Sequence, residues 1–213
     1  MELTDQLWGK AKLGALTDEE AELAAQLIQK SADVGVQSAL IYTLGRAGAM
    51  QYQSLLESFL LPDADGTNVR ASLVVLVTDW GLSSPAITKT VKEYILGADW
   101  DEHGEFQELS ISLAGSITRS TGDRELFSAL LRMAQGEIEI GPTEGDLQEF
   151  GPEREYWDSK KLELPNWALE WLAYALGYSH GEISESKVLV GDLRSKWEQR
   201  MAAEAAARLG SSC

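Results

Sequence analysis

Apolar residues recur every three to four positions along most of the chain, the spacing that gives an α-helix one buried face. The pattern is clearest from Asp33 to Gly48, where Val36, Ala39, Leu40, Thr43 and Leu44 fall at i, i+3, i+4, i+7 and i+8. Gly45 follows as a small residue, and Gly48 closes the run. The layout returns in residues 67–81 with Val69 in the place of Val36. It returns again in Glu105-Phe-Gln-Glu-Leu-Ser110 and its continuation with Phe106, and in Asn166-Trp-Ala-Leu-Glu170 and its continuation with Trp167. These four apolar anchors lie 33, 37 and 61 residues apart (36 to 69, 69 to 106, 106 to 167). The chain is therefore expected to be stacked helical pairs with one long insertion before the last copy.

Local signals set the expected boundaries. Residues 3–13 form a short N-terminal helix with Leu3, Leu7 and Trp8 inward, closed by Gly14. Thr17-Asp-Glu-Glu20 has the form of a capping box and opens the first helix of pair one, with Ala21, Leu23, Ala24, Leu27 and Ile28 apolar. Pair two starts near Met50 with Leu55, Leu56, Phe59 and Leu60 and stops at Leu61-Pro62. Thr67 or Asn68 caps its second helix. In pair three Ser84 caps a helix beginning at Pro85, with Ile87, Val91, Tyr94 and Ile95 inward and an end near Gly97. Its second helix runs over residues 105–118. Pair four opens after Gly122-Asp123 with Leu126, Ala129, Leu130 and Met133. The insertion covers about 136–164, with a short strand over Glu137-Ile-Glu-Ile140. Residues 185–209 form a C-terminal helix with Leu189, Leu193, Trp197, Met201 and Ala205 at every fourth position. Read as capping the array, that helix leaves one domain over 1–213: a cap at 1–16, about four pairs at 17–180, and the closing segment 181–213. A dimerisation helix is the other reading of it.

Composition narrows the class. The chain has 213 residues, 44% hydrophobic and 24% charged, in keeping with a folded protein. Acids outnumber bases 34 to 18, for a net charge of −16. Binding to nucleic acid needs Lys and Arg against phosphates, and anionic lipid repels such a chain, so neither is an expected partner. The single cysteine, Cys213, supports neither a disulfide framework nor a thiolate metal site. The opening residues have no basic start followed by an apolar run, and the longest near-apolar window, Ala71 to Val77, is too short for a bilayer. A cytoplasmic protein is expected.

Val69-Arg70-Ala71 followed by Leu73 and Leu76, and Val36-Gln37-Ser38-Ala39, resemble the second helix of the HEAT-like α-α superhelical repeat family. The resemblance covers about residues 17–180. Phe106-Gln107-Glu108 and Trp167-Ala168-Leu169 keep the apolar anchor and lose the basic residue. What the resemblance implies is an all-α superhelix that binds other macromolecules on a concave surface, since each pair must stack on a neighbour to bury its stripe.

Candidate chemistry is sparse. Asp99, Asp101, His103 and Gly104 copy part of a calcium-binding loop, but its twelfth position is Ser110 where a bidentate Glu is needed. A solvated acidic turn is the better reading. His103 and His180 are far apart in the chain, and His180 follows a helix end, where an imidazolium suits the terminal carbonyls. No nucleophile with a supporting base can be assembled, so no catalytic residue, metal or cofactor is expected. Charge is the outstanding feature. Residues 93–158 hold 16 acids and four bases, Arg119, Arg124, Arg132 and Arg154, so they carry −12 of the total. Trp100 and Trp157 sit among those acids, as an interface anchor would. The expected partner-binding residues are Asp99, Trp100, Asp101, Glu102, Glu105, Glu108, Glu144, Asp146, Glu149, Glu153, Glu155, Trp157 and Asp158. The expected function is capture of a basic protein, most specifically by an immunity- or antitoxin-like inhibitor of a basic toxin domain. The alternatives are a structural or chaperone-like assembly subunit and a helical-repeat enzyme.

Overall fold

The computed structural model describes residues 2–61, 64–97, 105–141 and 153–211. Among the described residues all regular structure is helical, and the helices pack on one another as an all-α, repeat-like fold does. Contacts gather the chain into two compact units, Met1–Ile87 and Thr88–Cys213.

The first unit holds α1 (Glu2–Lys12), α2 (Asp18–Lys30), α3 (Val34–Ala47), a 3₁₀ turn (Met50–Tyr52), α4 (Gln53–Glu57) and α5 (Gly66–Leu73), which widens into a π-helical segment, Val74–Asp79. Helix α3 is its hub, touching α1, α2, α5 and the π segment. Caps fix its ends. The Thr17 hydroxyl accepts from Glu20 N at 3.3 Å and the Glu20 carboxylate accepts from Thr17 N at 3.1 Å. Asp33 accepts from Val36 N, and Gly48 ends α3 at φ 67°, a left-handed conformation that glycine reaches without strain. The core is Ala24 and Ile28 of α2, Leu40, Ile41 and Leu44 of α3, and Val69, Leu73 and Leu76 beyond, all buried. Leu23, an expected core residue, is exposed. Helix α4 is shorter than its apolar stripe suggests. After Glu57 the backbone tightens into i→i−3 bonds, Phe59 N to Leu56 O and Leu60 N to Glu57 O, and Leu56 is the one member of the stripe that is fully buried. The cap of α5 is Asp65, whose carboxylate accepts from Thr67 N. Asn68 is instead buried and donates to Gln37 at 2.7 Å.

The second unit takes most of α6 (Pro85–Ile95), then α7 (Glu105–Thr121), α8 (Arg124–Ala134), α9 (Glu153–Leu176), α10 (His180–Lys187) and α11 (Asp192–Gly210). The expected inward residues of α6 and α8 are buried, Ser84 caps α6 as read from the sequence, and Asp123 caps α8. Helix α9 packs against α7 and α8, and α11 packs on both α8 and α9. Two local devices recur between the units. Gln37, one residue after Val36, donates to Ile28 O at the end of α2, and Gln107, one residue after Phe106, donates to Ile95 O at the end of α6. Gly45 and Gly115, each nine residues beyond those anchors (36 to 45, 106 to 115), are both points of close helix approach, to Val75 and to Trp171 respectively. Pairs one and three are thus built to one plan.

Three expectations about the second unit are corrected. The insertion does not reach residue 164, because α9 already begins at Glu153 and runs through Pro165. Trp157, Leu164, Ala168, Leu172 and Ala175 are buried at i, i+7, i+11, i+15 and i+18, one stripe that crosses the proline. Proline removes one backbone bond, and the Asn166 side-chain amide donates to Leu162 O at that level. Residues 137–140 form no strand, although Ile138 and Ile140 are buried and Glu137 and Glu139 exposed, the alternation that suggested one. The C-terminal helix is two helices, separated by residues 188–191, the last of which, Gly191, adopts φ 56° just before α11. Leu193 is consequently exposed and the buried pair is Met201 and Ala205.

Candidate functional site

The fourth anchor, Trp167, is not in the core. Because α9 starts early, its buried stripe passes through Ala168 and Leu172, one position on. Trp167 falls instead on a second stripe with Glu163, Asn166, Glu170, Trp171 and Tyr174, at i, i+3, i+4, i+7, i+8 and i+11 counted from Glu163. A helix with large side chains on two faces needs a second packing partner. Helix α10 supplies it only in part, and a groove of about 450 Å³ remains between α9 and α10, with His180, Ile183, Ser184 and Lys187 on the far side. Trp167 keeps 39% of its surface exposed there.

The groove is rigidly framed. The Tyr174 ring meets the Arg119 guanidinium, 4.3 Å from its centroid, and the His180 imidazole, stacked at 4.7 Å and 19°. Arg119 also donates to Tyr174 O and Tyr178 O at 2.6 and 2.9 Å, so it supplies the carbonyl cap at the end of α9 that the sequence assigned to His180. His180 is instead the first residue of α10, after the Ser179–Glu182 capping box. That box holds the Glu182 carboxyl below its ordinary range, through the Ser179 backbone N–H and hydroxyl. Trp171 lies edge-on to Tyr174 and packs over Gly115 of α7. Lys187 pairs across the groove with Glu170 at 2.9 Å. The contents are an aromatic floor, two carboxylates and one lysine. The His180 imidazole and the Ser184 hydroxyl also line it, and among the described residues no group of three or more His, Cys, Asp or Glu could hold a metal.

The residues expected to bind a partner fare unevenly. Asp99, Trp100, Asp101, Glu102, Glu144, Asp146 and Glu149 lie outside the described residues, as do His103, Gly104 and Cys213. Glu105 and Glu153 begin α7 and α9, where the free N–H groups favour acids. Glu155 and Asp158 are exposed on the first turns of α9. Trp157 is 3% exposed, its ring against Gly141, so it is a core residue and not an exposed anchor. Glu108 is ion-paired to Lys160, both partly buried, and this hydrogen bond raises the Lys160 pKa. Other acids of the stretch are also matched within the chain: Glu93 with Lys89, Glu125 with Lys92, Glu137 with Arg132. A second cavity of about 400 Å³ is lined by Lys92, Arg124 and Arg132, and each has a partner, Arg124 donating to Leu209 O.

No protein-family model matches the chain, and neither a curated protein nor a solved structure matches it. No helix among the described residues is long and apolar enough to cross a membrane.

Proposed function

We propose that this chain is a protein-binding scaffold of the HEAT-like kind, whose acidic later part captures a basic protein. In its most specific form it is an immunity- or antitoxin-like inhibitor that covers a basic toxin domain. One observation carries the reading: residues 93–158 concentrate −12 of the net −16, and Glu155 is exposed on the first turn of α9. Such a field accelerates encounter with a cationic surface, while apolar and aromatic contacts set how long the complex lasts. Twin devices in pairs one and three, Gln37 with Gln107 and Gly45 with Gly115, support a repeat scaffold. The cytoplasm, where a reduced lone cysteine and a toxin target both belong, is the proposed location.

The test is association rate against ionic strength, measured with partners retained by the immobilised chain. Reversing Asp99, Asp101, Glu144, Asp146, Glu155 and Asp158 to lysine slows association at low salt and flattens its salt dependence. A reversed chain that associates as fast as the native one, at every salt concentration, refutes the reading.

A further inference from the structure

The groove of about 450 Å³ between α9 and α10 takes no part in the acidic surface just described. We infer that it receives an arginine side chain from a basic partner, with the guanidinium laid on Trp167 between the carboxylates of Glu163 and Glu170. This rests on the reading of the chain as a binder of basic proteins and names a place where that binding is specific.

Glu163, Trp167 and Glu170 stand at i, i+4 and i+7, so all three share one helix face and line the groove, with one Glu163 oxygen accepting from the Ser159 hydroxyl at 2.6 Å. An exposed indole beside two acids attracts a cation by its ring quadrupole and by charge. Arginine fits better than lysine, because a planar guanidinium stacks on the ring while its fork of N–H groups reaches a carboxylate edge. The unit uses this geometry internally: Arg119 lies over Tyr174, Arg194 over Trp197, Arg200 over Tyr178 and Arg208 over Phe127, at 4.3 to 5.6 Å from the ring centroids. Two of these arginines add a carboxylate four residues along the same helix, Arg194 with Glu198 and Arg200 with Glu204, both at 2.7 Å. Trp167 with Glu163 and Glu170 offers the same kinds of group, a ring and carboxylates, without an arginine. Lys187 already reaches Glu170 from the opposite wall, so the site holds one weak internal cation at its rim, 55% exposed. An arriving guanidinium competes with it.

The probe is a short acetylated, amidated glycine peptide bearing three arginines, with its lysine and citrulline counterparts, titrated into the full chain. Binding is followed by the indole N–H resonances, that of Trp167 being assigned from Trp167→Phe. The arginine peptide is expected to move the Trp167 signal and to bind more tightly than the lysine peptide, with no response to citrulline. Trp167→Ala weakens binding about tenfold, and Glu163→Gln weakens it in the same direction. Lys187→Met strengthens it, about threefold, by removing the competing charge. A damaged fold cannot produce that gain. An unmoved Trp167 signal, equal binding of arginine and lysine peptides, or unchanged affinity in Lys187→Met overturns the inference. The double variant Glu155→Lys/Asp158→Lys separates the two proposals. If it abolishes peptide binding while Trp167→Ala does not, the groove is wrong and the acidic face stands. If the reverse holds, the groove is supported and capture does not depend on that face.

Discussion

Replacing Gly45 by alanine should destabilise the protein, against the usual effect of that change in a helix. An alanine in a helix interior is better than glycine by about 1 kcal/mol on propensity alone. At Gly45, however, a Cβ would lie 2.5 and 2.9 Å from the two methyls of Val75 and 2.9 Å from the Asp79 carboxylate. Val75 is wholly buried, and a β-branched side chain has little rotamer freedom with which to retreat. Trp80 adds a constraint, since its indole N–H donates to Gly45 O at 3.2 Å and resists separation of the two segments. Overpacking of this kind costs about 1–3 kcal/mol. Net of the propensity gain, Gly45→Ala should lose up to about 2 kcal/mol, or up to roughly 8 °C in Tm for a chain of this size. Gly9, in α1 with nothing within 4 Å of its virtual Cβ, is the control, and Gly9→Ala should gain up to about 1 kcal/mol. Urea unfolding followed by circular dichroism measures both. The cycle with Val75→Ala is decisive: the double variant should be less damaged than the sum of the singles by about 1 kcal/mol or more, because the second change makes room for the first. Strict additivity, or a Gly45→Ala as stabilising as Gly9→Ala, would refute the close-approach argument.

Three further outcomes follow from the same contacts. Trp157→Ala should cost about 3–5 kcal/mol by emptying a core position, whereas Glu155→Lys should change stability by no more than about 0.5 kcal/mol; a Trp157→Ala that melts like the native chain would return that residue to the surface. Ser179→Ala should remove about 1 kcal/mol of stability by uncapping α10, seen in the same unfolding curves, and a loss below the measurement error would show that the capping box contributes nothing. Stability should be flat near neutrality and fall on acidification. The Glu204 carboxyl, held down by Arg200 and then by the Tyr178 hydroxyl, and the Glu182 carboxyl contribute stability that is present above the ordinary carboxylate range, about 4.3, and is lost as pH drops through their depressed values. Melts of Glu204→Gln should show a shallower acid limb, and an unchanged limb would exclude this linkage.

The helices, the caps at Thr17 and Ser84, and most buried stripes were legible because each is a local matter of period and end chemistry. The errors arose where a longer-range fact outweighed a local signal. Pro165 read as a boundary, yet a stripe that holds from Trp157 to Ala175 keeps α9 whole. That misplaced start put Trp167 in the core by analogy with Val36, Val69 and Phe106, when its true neighbours open onto the groove. An unbroken period likewise concealed the break over 188–191, between the end of α10 at Lys187 and Gly191, whose positive φ precedes α11. Charge was the least legible quantity. Counting residues gave the surplus in 93–158, but pairings such as Glu108 with Lys160 join residues far apart in the chain and remove carboxylates that the count treats as available. The groove's own signal was present in the sequence, as a helix carrying apolar residues on two faces.

Helix α11 has a consequence for how the chain comes off the ribosome. Met201 and Ala205 are fully enclosed, and α11 lies on both α8 and α9, so its partners are finished before it has been translated. Until then the seats for those two side chains stand open to water on a chain still tethered at its growing end. The second unit should therefore fold late and in one step, and a nascent chain stalled short of residue 192 should be a better client for a chaperone than either a shorter or a longer one.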